Sequence, residues 1–191
     1  SFNKPRTRKP RSGNNSRRAV KNNPDVTLKI IPLGGLDGIG KNMTVIECGD
    51  DMILDDAGLM FPDDNHPGID LLLPDYTYVL ENEDKLRGII ITHGHEDHTG
   101  ALPYLLSNGF TGRVVLTTET ARQLPLGLDD TLVLEGLSVP YAEAQLPGGI
   151  SLMWGRSGHC SGSVWYRMAE NGRSLFFSGD YYDCARVHAR D

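Results

Sequence analysis

Short apolar or alternating runs recur along the chain between turn residues: TLKIIPLG (27–34), MTVIECG (43–49), DMILDDAG (51–58), RGIIITHG (87–94), GRVVLTT (112–118), DTLVLEG (130–136), GISLMWG (149–155), GSVWYRM (162–168) and RSLFFSGD (173–180). Each is rich in β-branched or aromatic residues and bounded by Gly, Asn or Asp, which predicts a strand. Helical spacing is rarer. PDYTYVLENEDKL (74–86), with Asp75 ahead of Tyr78, Val79 and Leu86, predicts one helix, and TGALPYLLSNG from 99, ended by Gly109, predicts a second. The pattern is that of a mixed α/β domain, strand-rich in its first half. The loop PDDNHPGID (62–70) carries turn chemistry throughout and is expected on the surface.

Composition narrows the class. A chain of 191 residues is long enough for one ordinary domain and short for two. With 39% hydrophobic and 23% charged residues it has a globular composition, and no apolar run approaches the ~18 residues of a membrane span, so no membrane role is expected. The first residues lack the apolar stretch of a secretory signal, which makes the cytoplasm the expected compartment. Cys48, Cys160 and Cys184 are widely and irregularly spaced, which predicts reduced thiols rather than a disulfide framework.

The net charge of −6 hides an asymmetry: eight of the nineteen Lys and Arg, against Asp25 alone among the acids, fall within residues 1–25. This segment is rich in Asn, Pro and Ser and poor in large apolar residues, so we expect a disordered basic tail over 1–25 and a folded domain over 26–191. Such a tail suits either a phosphate-binding arm for RNA or ribosomes or a solubilising leader. The remainder is strongly acidic and would repel a polyanion unless its field is inverted locally.

A segment that could supply that inversion is Thr92-His93-Gly94-His95-Glu96-Asp97-His98-Thr99, three imidazoles and two carboxylates directly after an apolar run. His93 and His95, two apart at the extended end of a strand, can face one cation, and the turn at Asp97 and His98 can face a second a few Å away. Glu96 is expected to face solvent. His159, in SGHCSGSVW, and Asp180, in LFFSGDYYD, each end an apolar run and supply what a pair of ions would still lack. His159 is assigned as the third imidazole of the first position and Asp180 as a carboxylate bridging both. Cys160 is expected to be a small packed residue rather than a ligand. Trp154, Trp165, Tyr166, Tyr181 and Tyr182 are expected in the core or on a sheet surface.

These elements, HGHEDHTGALPYLL, the Asp56-Ala57-Gly58 triplet after an apolar run, a later His and a strand-end Asp, resemble the ordered motifs of the metallo-β-lactamase superfamily. Residues 28–106, through GGLDGIGKNM, DAGLMFP, GIDLLLPD and THGHEDHTGALPY, resemble more narrowly the ribonuclease J family of the beta-CASP group. The resemblance implies an αββα sandwich, two zinc ions, RNA as substrate and an exonuclease or endonuclease activity in RNA degradation and rRNA processing. It also allows a homodimer.

By the same resemblance, Asp97 and Asp180 serve the catalytic centre, a hydroxide between the ions is the nucleophile, and Asp56 orients the His93–His98 loop without ligating. Two departures stand out. Gly38 replaces the family's usual Glu, and GHCSGSVWYRM departs from the family's pattern around its later His. The family carries its beta-CASP domain and its last ligand His beyond the equivalent of Asp180, and the chain ends eleven residues later, leaving His188 as the remaining candidate. The fold is therefore expected to be incomplete at that end, with one ion if the site is incomplete too. Three functions follow: a ribonuclease or its catalytic domain, another hydrolase of this fold acting on a small ester, thioester or phosphodiester, or a non-catalytic fragment.

Overall fold

The computed structural model describes residues 26–36, 38–64, 66–110, 112–124, 131–133 and 142–182. The basic segment 1–25, Cys184 and His188 lie outside the described residues. Strands β1 (Leu28–Gly34), β2 (Met43–Cys48), β3 (Asp51–Asp55), β4 (Leu86–Ile90), β5 (Arg113–Leu116) and β6 (Thr131–Val133) form one sheet in chain order. The β1–β2 and β2–β3 pairs are antiparallel, and β3 to β6 run parallel. Strands β7 (Glu143–Gln145), β8 (Ser151–Arg156), β9 (Val164–Glu170) and β10 (Arg173–Phe177) form an antiparallel second sheet.

Alternation along the strands makes two cores. Val45, Met52, Leu54, Ile89, Ile91, Val114 and Leu116 face helices α1 (Thr77–Glu81), α3 (Leu102–Ser107) and α4 (Thr118–Gln123), where Val79, Leu102 and Leu105 are buried. The intervening Ile46, Ile53, Ile90 and Val115 face Leu152, Tyr166 and Met168 of the second sheet. The central strands are apolar on both faces, as strands covered on both sides must be. A parallel pair needs a crossover, so the helices fall between β3, β4, β5 and β6 and cover one face. Among the described residues no helix covers the second sheet, whose outer face exposes Arg167, Ser174 and Phe176.

The helices differ from expectation in extent. The single helix expected over 74–86 is α1 followed by a 3-10 turn at Glu83–Lys85. Asn82 ends α1 because its amide Nδ2 donates back to the Tyr78 carbonyl at 2.9 Å, and Leu86 is claimed as the first buried residue of β4. The helix expected from 99 begins earlier, as the single turn α2 (Glu96–Thr99), and resumes as α3, whose first turn takes Pro103. Strand β7 and helix α4 were not predicted, and six of the ten described strands follow residue 110, so strands are not concentrated in the first half. The loop 62–70 lies on the surface, and Cys48 and Cys160 are free thiols.

Glu47 fastens α1 to the sheet: it is buried and accepts from Tyr78 Oη at 2.5 Å and from Lys29 Nζ at 3.1 Å. The Tyr78 hydrogen bond holds its carboxyl below the usual range against the opposing effect of burial. At the far end of β9, Glu170 lines a cleft between the sheets with Leu28, Ile46, Asp51, Met168 and Leu175. Burial, and then the neighbouring Asp51 carboxylate, raise its pKa to about 7. A carboxyl whose folded pKa lies above its unfolded value stabilises the fold below the unfolded pKa, and that contribution is lost as pH rises through the folded one. Glu170→Gln is therefore expected to gain melting temperature relative to the parent as pH goes from 5 to 8. A difference in Tm that stays constant across that range would show that Glu170 titrates normally.

Candidate metal centre

The carboxyl ends of β3 and β4 and the segments after β8 and β10 converge on one edge of the sandwich, where open α/β sheets place ligands. Asp56 follows β3 with φ of 56°, a left-handed conformation that Asp tolerates better than most residues. Its amide donates to Ile90 O at 2.8 Å, and its buried carboxylate gathers the next strand's loop. Oδ1 accepts from Thr92 N at 2.8 Å, Oδ2 accepts from Thr92 Oγ1 at 2.9 Å, and Oδ2 lies 2.6 Å from His98 Nδ1. Burial alone would lower the His98 pKa, but the Asp56 hydrogen bond and charge, with the Asp97 and Asp180 carboxylates, together outweigh it and the net shift is upward. With Nδ1 donating to Asp56, the neutral ring turns its Nε2 lone pair outward.

Backbone bonds fix the rest of the loop. Ala57 N donates to His98 O at 2.8 Å, Leu59 N to Glu96 O at 3.0 Å and Asn42 N to Asp97 O at 3.0 Å. Gly58 is dictated by this approach, since a Cβ there would fall 1.6 Å from Asp97 O. Val164 N donates to Thr92 O at 3.0 Å, which ties the loop to the second sheet. The turn carrying His159 is held by α4: Thr117 Oγ1 donates to Gly162 O at 2.9 Å and Gln123 Nε2 to Ser161 O at 3.1 Å.

Two sets of donors result. His93 Nε2 and His159 Nε2 lie 3.0 and 3.2 Å from His95 Nδ1, so three ring nitrogens from two chain segments face one point. His93, His98 and Asp180 form a second set, and within each set the ligand atoms lie within 4.8 Å of one another. Asp180 spans the two, with Oδ1 3.5 Å from His98 Nε2 and Oδ2 3.5 Å from His159 Nε2. Asp97 places Oδ2 3.5 Å from His98 Nε2 but belongs to neither three-donor set. Burial, followed by the neighbouring His98, His95 and His159, lowers the His93 pKa to about 3, so the ring is neutral at physiological pH. Crowded neutral imidazoles with adjacent carboxylates are a borderline nitrogen and oxygen donor set that fits zinc.

Five of the six candidate donors thus fall in the two sets, Asp97 stands beside them at His98, and Glu96 is exposed as expected. Cys160 is half-buried and belongs to neither set. Tyr166 is in the core and Trp165 packs on Phe176, while Tyr181 and Tyr182, next to Asp180, are 67% and 65% exposed. Three participants were missed. Thr92 links Asp56 to the loop, Tyr166 Oη donates to the half-buried Asp55 across the sheets, and Asn42 reaches both Asp97 and His98. Burial, and then the Asp56 carboxylate, raise the Asp55 pKa well above its ordinary range against the opposing Tyr166 hydrogen bond, and burial, then the Asp55 carboxylate, raise that of Tyr166. Of the three, Asn42 and Thr92 carried a signal, lying in the GGLDGIGKNM and THGHEDHTGALPY motifs.

Two β-sheets with clustered imidazoles and carboxylates at one edge define the class of a metal-dependent hydrolase fold. A model of the metallo-beta-lactamase superfamily matches residues 37–180, and the chain belongs to that superfamily. Among curated proteins it is 56% identical over 86 residues to Ribonuclease J 2 of Staphylococcus aureus (strain NCTC 8325 / PS 47), covering 45% of this chain and 15% of that protein. It is 52% identical over 87 residues to Ribonuclease J of Synechocystis sp., covering 46% and 14%. The chain therefore spans about one-seventh of the length of these relatives. Among solved structures, the metallo-beta-lactamase fold protein YhfI from Bacillus subtilis superposes with a TM-score of 0.56 at 16% identity, covering 83% of this chain and 65% of that one. A protein of unknown function from Enterococcus faecalis V583 does so with a TM-score of 0.58 at 13% identity, covering 81% and 43%. These two likenesses concern the fold. No helix among the described residues is long and apolar enough to cross a membrane.

The contact at Gly58 gives a direct test. Gly58→Ala must push Asp97 O and Asn42 apart, and is expected to lower stability by about 1–3 kcal/mol in chemical denaturation. An unchanged denaturation midpoint would show that this approach is looser than the geometry requires.

Proposed function

We propose that the chain is a zinc-dependent metallohydrolase domain of ribonuclease J type, which hydrolyses RNA phosphodiester bonds in the cytoplasm. The observation that carries this reading is the Asp180 carboxylate, which faces His159 with one oxygen and His98 with the other, joining two donor sets in a chain similar to Ribonuclease J 2. His93, His95 and His159 would hold one ion, and His98, Asp97 and Asp180 the second, with Asp180 shared. Two zinc ions, when bound, supply an activated water and positive charge where the phosphodiester is attacked. The residues supply the geometry. Asp56 keeps the His98 Nε2 lone pair outward, burial keeps His93 neutral, and the turn held by α4 brings His159 across from the second sheet. The exposed Tyr181 and Tyr182 flank Asp180 at the edge a substrate would reach. The basic segment 1–25 would add affinity for RNA or ribosomes through phosphate contacts.

The test is metal analysis followed by cleavage. The full chain, purified without chelator, is expected to carry about two zinc equivalents, reduced in His98→Ala and in Asp180→Ala. Labelled RNA should be cleaved, with the activity abolished by chelator and restored by zinc. Two equivalents without RNA cleavage would move the reading to a small ester, thioester or phosphodiester substrate. One equivalent indifferent to His98→Ala would remove the second position and with it the hydrolase reading.

A further inference from the structure

The proposed second position uses one donor, Asp97, that lies outside both three-donor sets. His98 is held by Asp56, whereas among the described residues no hydrogen bond from α2 or β4 reaches the Asp97 carboxylate, which meets α2 only at His98 Nε2, 3.5 Å away. The support comes from a distant segment. Asn42, after the loop that follows β1, reaches Asp97 with main chain and side chain together: Asn42 N donates to Asp97 O at 3.0 Å, and Nδ2 to the same oxygen at 3.1 Å and to Asp97 Oδ2 at 3.3 Å. The same Nδ2 lies 3.1 Å from His98 Nε2, the atom whose lone pair faces the site. On the other side Gly58 N donates to Asn42 O at 2.8 Å, so the Asn42 backbone is fixed between the Asp56-Ala57-Gly58 triplet and the His93–His98 loop.

An NH₂ group has two protons and here faces three acceptors, two of which, Asp97 Oδ2 and His98 Nε2, are the donors of the second position. A positive ion there would take the His98 lone pair. The Nδ2 protons then remain for Asp97 O and Oδ2, which aims the carboxylate from behind. We infer that Asn42 is a positioning residue for the second metal position, its carboxamide holding Asp97 and standing against His98 until an ion enters. Among the described residues no hydrogen bond joins Asn42 to His93, His95 or His159 of the first position, so the effect is expected at one of two ions. The inference rests on the two-ion reading above.

Hydrogen-bonding partners that orient ligands typically change metal affinity ten- to a hundredfold when removed. Metal-free full chain and its Asn42→Ala variant, titrated with Co2+ and followed by visible absorption and calorimetry, are expected to show the same first step and a second step weakened about tenfold or more. The main-chain bonds of Asn42 survive the substitution, so the Tm of the metal-free protein should change little. Loss of both steps together would mean that Asn42 only supports the fold. An unchanged second step would mean that its amide does not hold Asp97, and either result overturns the inference while leaving the two-ion reading intact. A parent chain that binds a single equivalent overturns both. Should Asn42→Ala not fold, the ¹⁵N-labelled parent decides. The Asn42 side-chain amide signals should move with the second equivalent of Zn2+ and not the first, and signals that move with the first or with neither overturn the inference.

Discussion

The buried carboxylate of Asp56 is the acceptor on which the edge of the sandwich is organised. It takes the amide and hydroxyl of Thr92 and faces Nδ1 of His98, so one side chain from the end of β3 sets the path and the imidazole orientation of the loop after β4. Without it, Thr92 N would be a buried donor with no partner, and His98 could present either ring nitrogen to the site. The left-handed backbone at Asp56 is the accompanying strain, and it persists because the residue is bonded on every side. The residue before it meets burial differently. Asp55 points between the sheets and accepts a hydrogen bond from Tyr166 of β9, with burial raising its pKa. Two successive acids thus bind two different layers: Asp56 ties strand to loop within the first sheet, and Asp55 ties the first sheet to the second.

The site consequently straddles the sandwich. The donors of the 93–98 loop belong to the first sheet, while His159 and Asp180 follow β8 and β10 of the second. Their mutual placement depends on contacts across the seam, namely the Val164–Thr92 bond, the Tyr166–Asp55 pair and the grip of Thr117 and Gln123 on the 161–162 backbone. Any slip of one sheet over the other would separate Asp180 from His98 and His159, so the apolar core of Ile46, Ile53, Ile90, Leu152 and Tyr166 also positions the donors.

What the sequence disclosed follows from the range of the physics involved. The short apolar runs MTVIEC, RGIII and RVVL are local features, and they marked the strands. The donors were legible because four of them lie within six residues and the other two end apolar runs. Helix ends were less so: Asn82 stops α1 by a side-chain bond that propensity does not weigh, and β7, whose Glu143 and Gln145 are exposed, has no alternation to read. Helix α4 was hidden because TETARQ has no apolar stripe, its start being set by Thr117 capping Thr120 N. Contacts of long separation were beyond reach altogether. Nothing near Tyr166 points to Asp55, 111 residues away, and the link from Asn42 to Asp97 spans 55.

The two donor sets are built on different principles. The first is a meeting of three imidazoles, with His93 so buried and so crowded by other rings that a proton cannot settle on it near neutrality. Their ring nitrogens lie at hydrogen-bond distance from one another, an arrangement whose lone pairs a cation would take up. The second depends on oxygen donors that must be aimed from elsewhere, Asp97 from Asn42 and Asp180 from the end of β10. His93 and Asp180 connect them, the ring by sharing its place in both sets and the carboxylate by facing both.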